Sequence, residues 1–184
     1  MDLLDIIMIS FGLAMDAFTV SLSAGTSGLV RGPRAVFRLT FHFGLFQFMM
    51  PVIGWFLGIK VEPVISSWDH WIAFGLLSFV GGKMLIGAFK QSEPGMKSDP
   101  SKGASLILLS IATSIDALAI GLSLAMLKVD ILYPSVMIGI VTGILSLAGV
   151  RLGKYIGKKI STNMEIAGGI LLIGIGIRIL ITHL

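Results

Sequence analysis

Two aspartates stand where a carboxylate is costly. Asp16 lies in "GLAMDAFTVS", residues 12–21, and Asp116 in "IATSIDALAIGLS", residues 111–123, both within otherwise apolar stretches. A charged carboxylate at the centre of a membrane helix costs about 2.5–3.5 kcal/mol on insertion scales. Two such groups facing each other also repel. A proton, a basic partner or a bound cation relieves the cost. Lys83 and Arg178 are the basic residues inside the apolar runs, and both fall near run ends, where they serve as interfacial anchors. That leaves a proton or a cation.

The neighbours suit a cation. Residues at i, i+3, i+4 and i+7 share one helix face. Around Asp16 that face holds Gly12, Thr19 and Ser23; around Asp116 it holds Ala112, Thr113, Ala119 and Ser123. Small residues let helix backbones approach closely. Hydroxyls and backbone carbonyls then add oxygen ligands, and carboxylate, carbonyl and water together suit magnesium, calcium and manganese ions. Gln47, in "FGLFQFMMP", is a further polar group in an apolar run, and Pro51 one turn later frees a backbone carbonyl. Thr19, Gln47, Thr113 and Ser114 are therefore second-tier ligand candidates. Met15 and the other methionines read as core or lipid-facing residues rather than soft-metal ligands.

The elements that position these residues follow from composition. The 184-residue chain is 55% hydrophobic and 13% charged, with a mean hydropathy of +0.95. Soluble domains carry roughly 25% charged residues. There is no cysteine, which excludes disulfides and thiolate metal sites. The net charge of +4 is spread over short loops rather than gathered in a patch, so a nucleic-acid partner is not expected. A bilayer core needs about 20 mostly apolar residues per helix. Six stretches meet this: roughly 5–26, 37–59, 70–89, 104–126, 132–152 and 163–182. The expectation is an all-α polytopic membrane protein of six transmembrane helices. "MDLLDII" at the start is acidic, so the first run is expected to be retained rather than cleaved as a signal.

Basic residues flank cytoplasmic span ends. Arg31, Arg34 and Arg38 follow the first run, Lys90, Lys97 and Lys102 the third, and Arg151, Lys154, Lys158 and Lys159 the fifth. The other two loops hold only Lys60 and Lys128. Both termini are therefore expected outside. Trp55, Trp68 and Trp71 flank the second loop as an interfacial belt would.

The chain also repeats. A shift of 100 lays Ile7, Ser10, Asp16, Ala17, Leu22 and Ser23 over Ile107, Ser110, Asp116, Ala117, Leu122 and Ser123. A shift of 95 lays Gly44, Gly54, Leu57 and Gly58 over Gly139, Gly149, Leu152 and Gly153, and Gly81, Lys83 and Leu85 over Gly176, Arg178 and Leu180. This divides the chain into a first three-helix repeat, 1–90, a polar cytoplasmic linker, 91–103, and a second three-helix repeat, 104–184. Three crossings per repeat invert the second against the first, a recurring plan of secondary transporters with the substrate site at the repeat interface. The symmetry is expected to bring Asp16 and Asp116 to similar depth.

"AMDAF", "IATSIDALAIG", "PVIGW", "HWIAFGLLSFVGGKM" and the closing "GGILLIGIGIRIL" resemble the bacterial MntP-type manganese efflux pumps, within the wider lysine-exporter-like superfamily. The resemblance covers nearly the whole chain. It implies the bacterial inner (cytoplasmic) membrane and export of Mn²⁺, and it places the family's intramembrane aspartates on Asp16 and Asp116. Glu165 matches a glutamate typical of the family before its last glycine-rich span. Some relatives carry an acidic residue where this chain has Gln47. The expected function is divalent-cation efflux by alternating access, with proton exchange as the coupling, since no nucleotide-binding motif is present. Mn²⁺ enters as cargo and no cofactor is expected; the other partners are further divalent cations and the bilayer. One rival is an exporter of small organic cations such as basic amino acids. Another is an intramembrane aspartyl protease, but its Gly-x-Gly-Asp signature is absent, and no enzyme is expected.

Overall fold

The computed structural model describes residues 3–65 and 99–153, with isolated positions from 71 to 86 and from 155 to 181. Four helices organise them: α1, Leu3–Thr26; α2, Pro33–Ile65; α3, Gly103–Met126; and α4, Leu132–Gly153. Each contains a stretch long and apolar enough to cross a membrane. The 24 residues of α1 or α3 reach about 36 Å at the usual helical rise, enough for a hydrocarbon core of about 30 Å.

The helix ends have local causes. Ser27 and Gly28 close α1, Gly28 in the left-handed region at φ 68°, a conformation a side chain would resist. α2 starts on Pro33, whose fixed φ and missing N–H suit a first helical position. Asp130 accepts a hydrogen bond from Leu132 N at 2.9 Å and so caps α4. Before α3, Asp99 Oδ1 accepts from Ser101 N at 3.0 Å and Ser101 Oγ at 2.7 Å. Partial burial pushes the Asp99 carboxyl up, but these bonds and the nearby Lys102 ammonium outweigh it and hold it below the usual carboxylate value.

The sixfold span count does not stand. Among the described residues four helices qualify, not six. The expected spans at 70–89 and 163–182 lie largely outside the described residues. The boundary after the second run also moves. "KVEPVISSWD", expected as a loop from Lys60, is helical through Ile65.

Packing pairs the helices across the chain rather than along it. α1 packs mainly on α4, and α2 on α3 and α4, while sequential α1 and α2 barely touch. Glycines permit these contacts. A Cβ on Gly54 would strike the Leu118 carbonyl oxygen, and one on Gly58 would lie 3.0 Å from that of Leu122. On α4, a Cβ on Gly149 would lie 2.7 Å from the Phe18 carbonyl oxygen, and one on Gly153 would strike that of Leu22. Both pairs therefore run parallel. The α2–α4 contact is antiparallel, since Gly44 meets Gly139 while Gly143 lies towards Thr40.

It follows that α1 and α3 run in opposite directions. The repeat is thus present in the contacts themselves. Shifting Gly54 and Gly58 by 95 gives Gly149 and Gly153, and shifting Leu118 and Leu122 back by 100 gives Phe18 and Leu22. The polarity of the bundle is also that of a membrane protein. Phe37, Leu108, Ile140 and Ile144 face outward, while Ser10, Gln47, Ser110, Ser114, Thr142 and Ser146 are buried.

Candidate functional site

Gln47 ties the two aspartate helices together. It is fully buried, at 0% exposure. Its Nε2 donates to the carbonyl oxygen of Leu13 on α1 at 3.0 Å and to that of Thr113 on α3 at 3.2 Å. The acceptors are both carbonyls, so the amide orientation is settled by the chemistry: only the NH₂ end can face them. Leu13 and Thr113 are related by the shift of 100. One side chain of α2 therefore grips the same carbonyl in each repeat.

Each gripped carbonyl lies three residues before an aspartate. Because α1 and α3 are antiparallel, "three residues on" leads toward opposite ends of the bundle. Each aspartate thus follows, one turn on, a carbonyl that Gln47 grips. Helical Cα–Cβ bonds tilt toward the N-terminus, so both carboxylates lean back toward Gln47.

The two environments differ. Asp16 is half-buried. Asp116 is 3% exposed, and its Oδ1 accepts from Ala117 N at 3.0 Å. Ile9, Leu13, Ala117 and Ile120 pack together beside them as a dry wall. Water exclusion of this kind strengthens any electrostatic interaction inside the site.

The second-tier candidates separate. Thr19 follows Asp16 by one turn, with a buried hydroxyl oxygen that has no hydrogen-bond partner. The Thr113 hydroxyl donates to Leu109 and Ser110 carbonyls, and that of Ser114 to Ser110 and Ile111 carbonyls. Both hydroxyls are thus committed within α3, and it is the Thr113 carbonyl that meets Gln47. Glu165 lies outside the described residues. Among the described residues, no group of three or more histidine, cysteine or acidic side chains gathers to hold a metal.

Buried oxygens on α4 escaped the sequence reading, as did that of Ser21 on α1. Thr142 and Ser146 on α4 are 0% exposed, and neither hydroxyl has a partner. A signal existed, because the shift of 95 that relates the glycines of α2 and α4 also carries Gln47 onto Thr142.

The bundle ends differ in charge. The C-terminal ends of α1 and α4 share an end with the N-terminal ends of α2 and α3. That end carries Arg31, Arg34, Arg38, Lys102 and Arg151; the opposite end has Lys60 and Lys128. At this second end the Trp55 indole donates to the Val129 carbonyl at 2.9 Å.

Apolar helices around buried carboxylates and amides define a multi-pass α-helical membrane protein. Residues 30–180 match the family described as "Putative manganese efflux pump". Relatives carrying that description with the family name MntP align end to end. The one from Geobacter sp. (strain M21) is 52% identical over 100% of this chain and 98% of its own length. That from Syntrophotalea carbinolica is 48% identical over 100% and 98%, and that from Nitratidesulfovibrio vulgaris 46% over 100% and 92%. The chain belongs to the MntP manganese efflux pump family. These relatives are named as efflux pumps, and none of the names supports the organic-cation alternative. No solved structure matches the chain.

Proposed function

We propose that this protein exports Mn²⁺ from the cytoplasm through a site built on Asp16 and Asp116. Family membership carries the efflux function. The Gln47 bridge carries the site assignment, because it holds the two aspartate helices around one buried layer. Two carboxylates balance the charge of one divalent cation, and the ion prefers such hard oxygen ligands.

Alternating access is the mechanism that the packing supports. α1 with α4, and α2 with α3, form two glycine-seamed pairs related by the repeat. Rocking of one pair against the other about the Gly44–Gly139 contact would expose the layer first to one side and then to the other. The cation passes between the two carboxylates on its way out. Protons returning to the emptied carboxylates provide the counter-flow. The basic end faces the cytoplasm of a bacterial inner-membrane protein, which sets the N-terminus outside; the charge pattern extends the same placement to the C-terminus.

Reconstitution into liposomes tests this. Mn²⁺ should cross against its gradient when an opposing proton gradient is applied, ahead of Mg²⁺ and Ca²⁺. Movement of arginine or lysine instead of metal would overturn the reading.

A further inference from the structure

Buried hydroxyls in this bundle normally bond to their own helix. Ser10 donates to Ile6, Ser110 to Leu106, Ser114 to Ser110 and Ser123 to Ala119, each to a carbonyl. Four hydroxyls on α1 and α4 break the habit, those of Thr19, Ser21, Thr142 and Ser146, and of these only Thr142 has a repeat counterpart that also holds an unbonded oxygen. Thr142 is wholly buried within α4, yet its Oγ1 meets no partner. Gln47 is its counterpart. Its amide NH₂ is used twice, while its Oε1, equally buried, accepts nothing.

The two positions are not independent. Each stands three residues past the glycine at which α2 and α4 touch, Gln47 past Gly44 and Thr142 past Gly139. The repeat that maps the α2–α3 seam onto the α1–α4 seam maps Gln47 onto Thr142. Each repeat thus contributes one buried, unbonded, uncharged oxygen at an equivalent position. A buried oxygen without a partner costs stability. A fold that carries a pair of them at repeat-related positions is holding acceptors ready for something that arrives.

We propose that Gln47 Oε1 and Thr142 Oγ1 are neutral ligands for a divalent cation passing between Asp16 and Asp116. The proposal rests on the carboxylate site described above and adds the station between its two charged ends. The chemistry fits a transported ion. Amide and hydroxyl oxygens replace water lost from a hard cation. Being uncharged, they do so without deepening the well, so the ion still leaves. Nε2 of Gln47 meanwhile keeps the Leu13 and Thr113 carbonyls turned toward it, which aims Oε1 in the opposite sense.

Mn²⁺ titration into purified full-length protein tests this, with free Mn²⁺ read by its electron paramagnetic resonance signal. Thr142→Val keeps shape and deletes the oxygen. It should unfold no earlier than wild type in the absence of metal, because only an unbonded group is lost, yet bind Mn²⁺ about tenfold more weakly. Thr142→Ser should restore binding, and Gln47→Leu should weaken it similarly. Should Thr142→Val fold poorly, Thr142→Ala carries the same measurement. Wild-type affinity in folded Thr142→Val or Thr142→Ala and in Gln47→Leu, alongside lost binding in Asp16→Asn, would overturn the neutral station and leave the carboxylate site standing. Wild-type affinity in Asp16→Asn and Asp116→Asn as well would overturn both.

Discussion

Gly44 of α2 and Gly139 of α4 meet face to face and reciprocally: a Cβ built on either lies 2.9 Å from the carbonyl oxygen of the other. The two residues are related by the repeat shift of 95, so this contact lies on the pseudo-symmetry axis of the bundle. Gly143, one turn from Gly139, is looser, with Thr40 O at 3.9 Å from its would-be Cβ. Alanine at Gly44 or Gly139 should force the helices apart and destabilise the protein by about 1–3 kcal/mol. Gly143→Ala should be neutral or slightly stabilising, since alanine favours helix by about 1 kcal/mol. Thermal unfolding of the purified variants in one detergent compares them. Equal losses at all three positions would contradict the packing argument.

The carboxylates are tested by charge rather than size. Asp16→Asn and Asp116→Asn preserve shape, so both variants should reach the membrane at wild-type levels yet fail to protect cells from excess manganese. Asp→Glu at either position should also be poorly tolerated, because an added methylene displaces the oxygens from the Gln47 layer. Normal export by both asparagine variants would remove the site assignment.

Orientation is accessible because the native chain has no cysteine. Arg31, Lys102 and Lys128 are exposed, so single cysteines there should be harmless. A membrane-impermeant thiol reagent added to intact cells should label Lys128→Cys and spare Arg31→Cys and Lys102→Cys. The reverse pattern would invert the protein in the membrane.

Metal binding should be linked to protons. A cation binds the ionised carboxylates, so binding displaces any proton held there, and affinity falls as pH falls. Calorimetry in buffers of different ionisation enthalpy should find about one to two protons released per Mn²⁺ near neutral pH. Binding that is strong and releases no proton across this range would exclude proton exchange through Asp16 and Asp116 while leaving metal export intact.

The sequence by itself determined where the described helices lie. Length and apolarity fixed α1, α3 and α4 to within two residues of the structure, because a membrane helix must pair its own backbone and needs no distant partner to do so. The cost of a carboxylate in an apolar run singled out Asp16 and Asp116, and self-similarity at offsets of 100 and 95 exposed the repeat. Run length gave six spans, against four among the described residues, and the other two runs lie largely outside those residues. The continuation of α2 through Glu62 and Pro63 was hidden, since charge and proline imitate a loop in one dimension. What tertiary structure decided was who meets whom. The exchange of partners between repeats depends on backbones touching at Gly54, Gly58, Gly149 and Gly153, and a glycine's letter does not say which helix will lie against it. The grip of Gln47 on Leu13 and Thr113 and the unbonded oxygen of Thr142 arise from that docking. They are properties of pairs of helices, set by approach and direction, and no single stretch of sequence contains them.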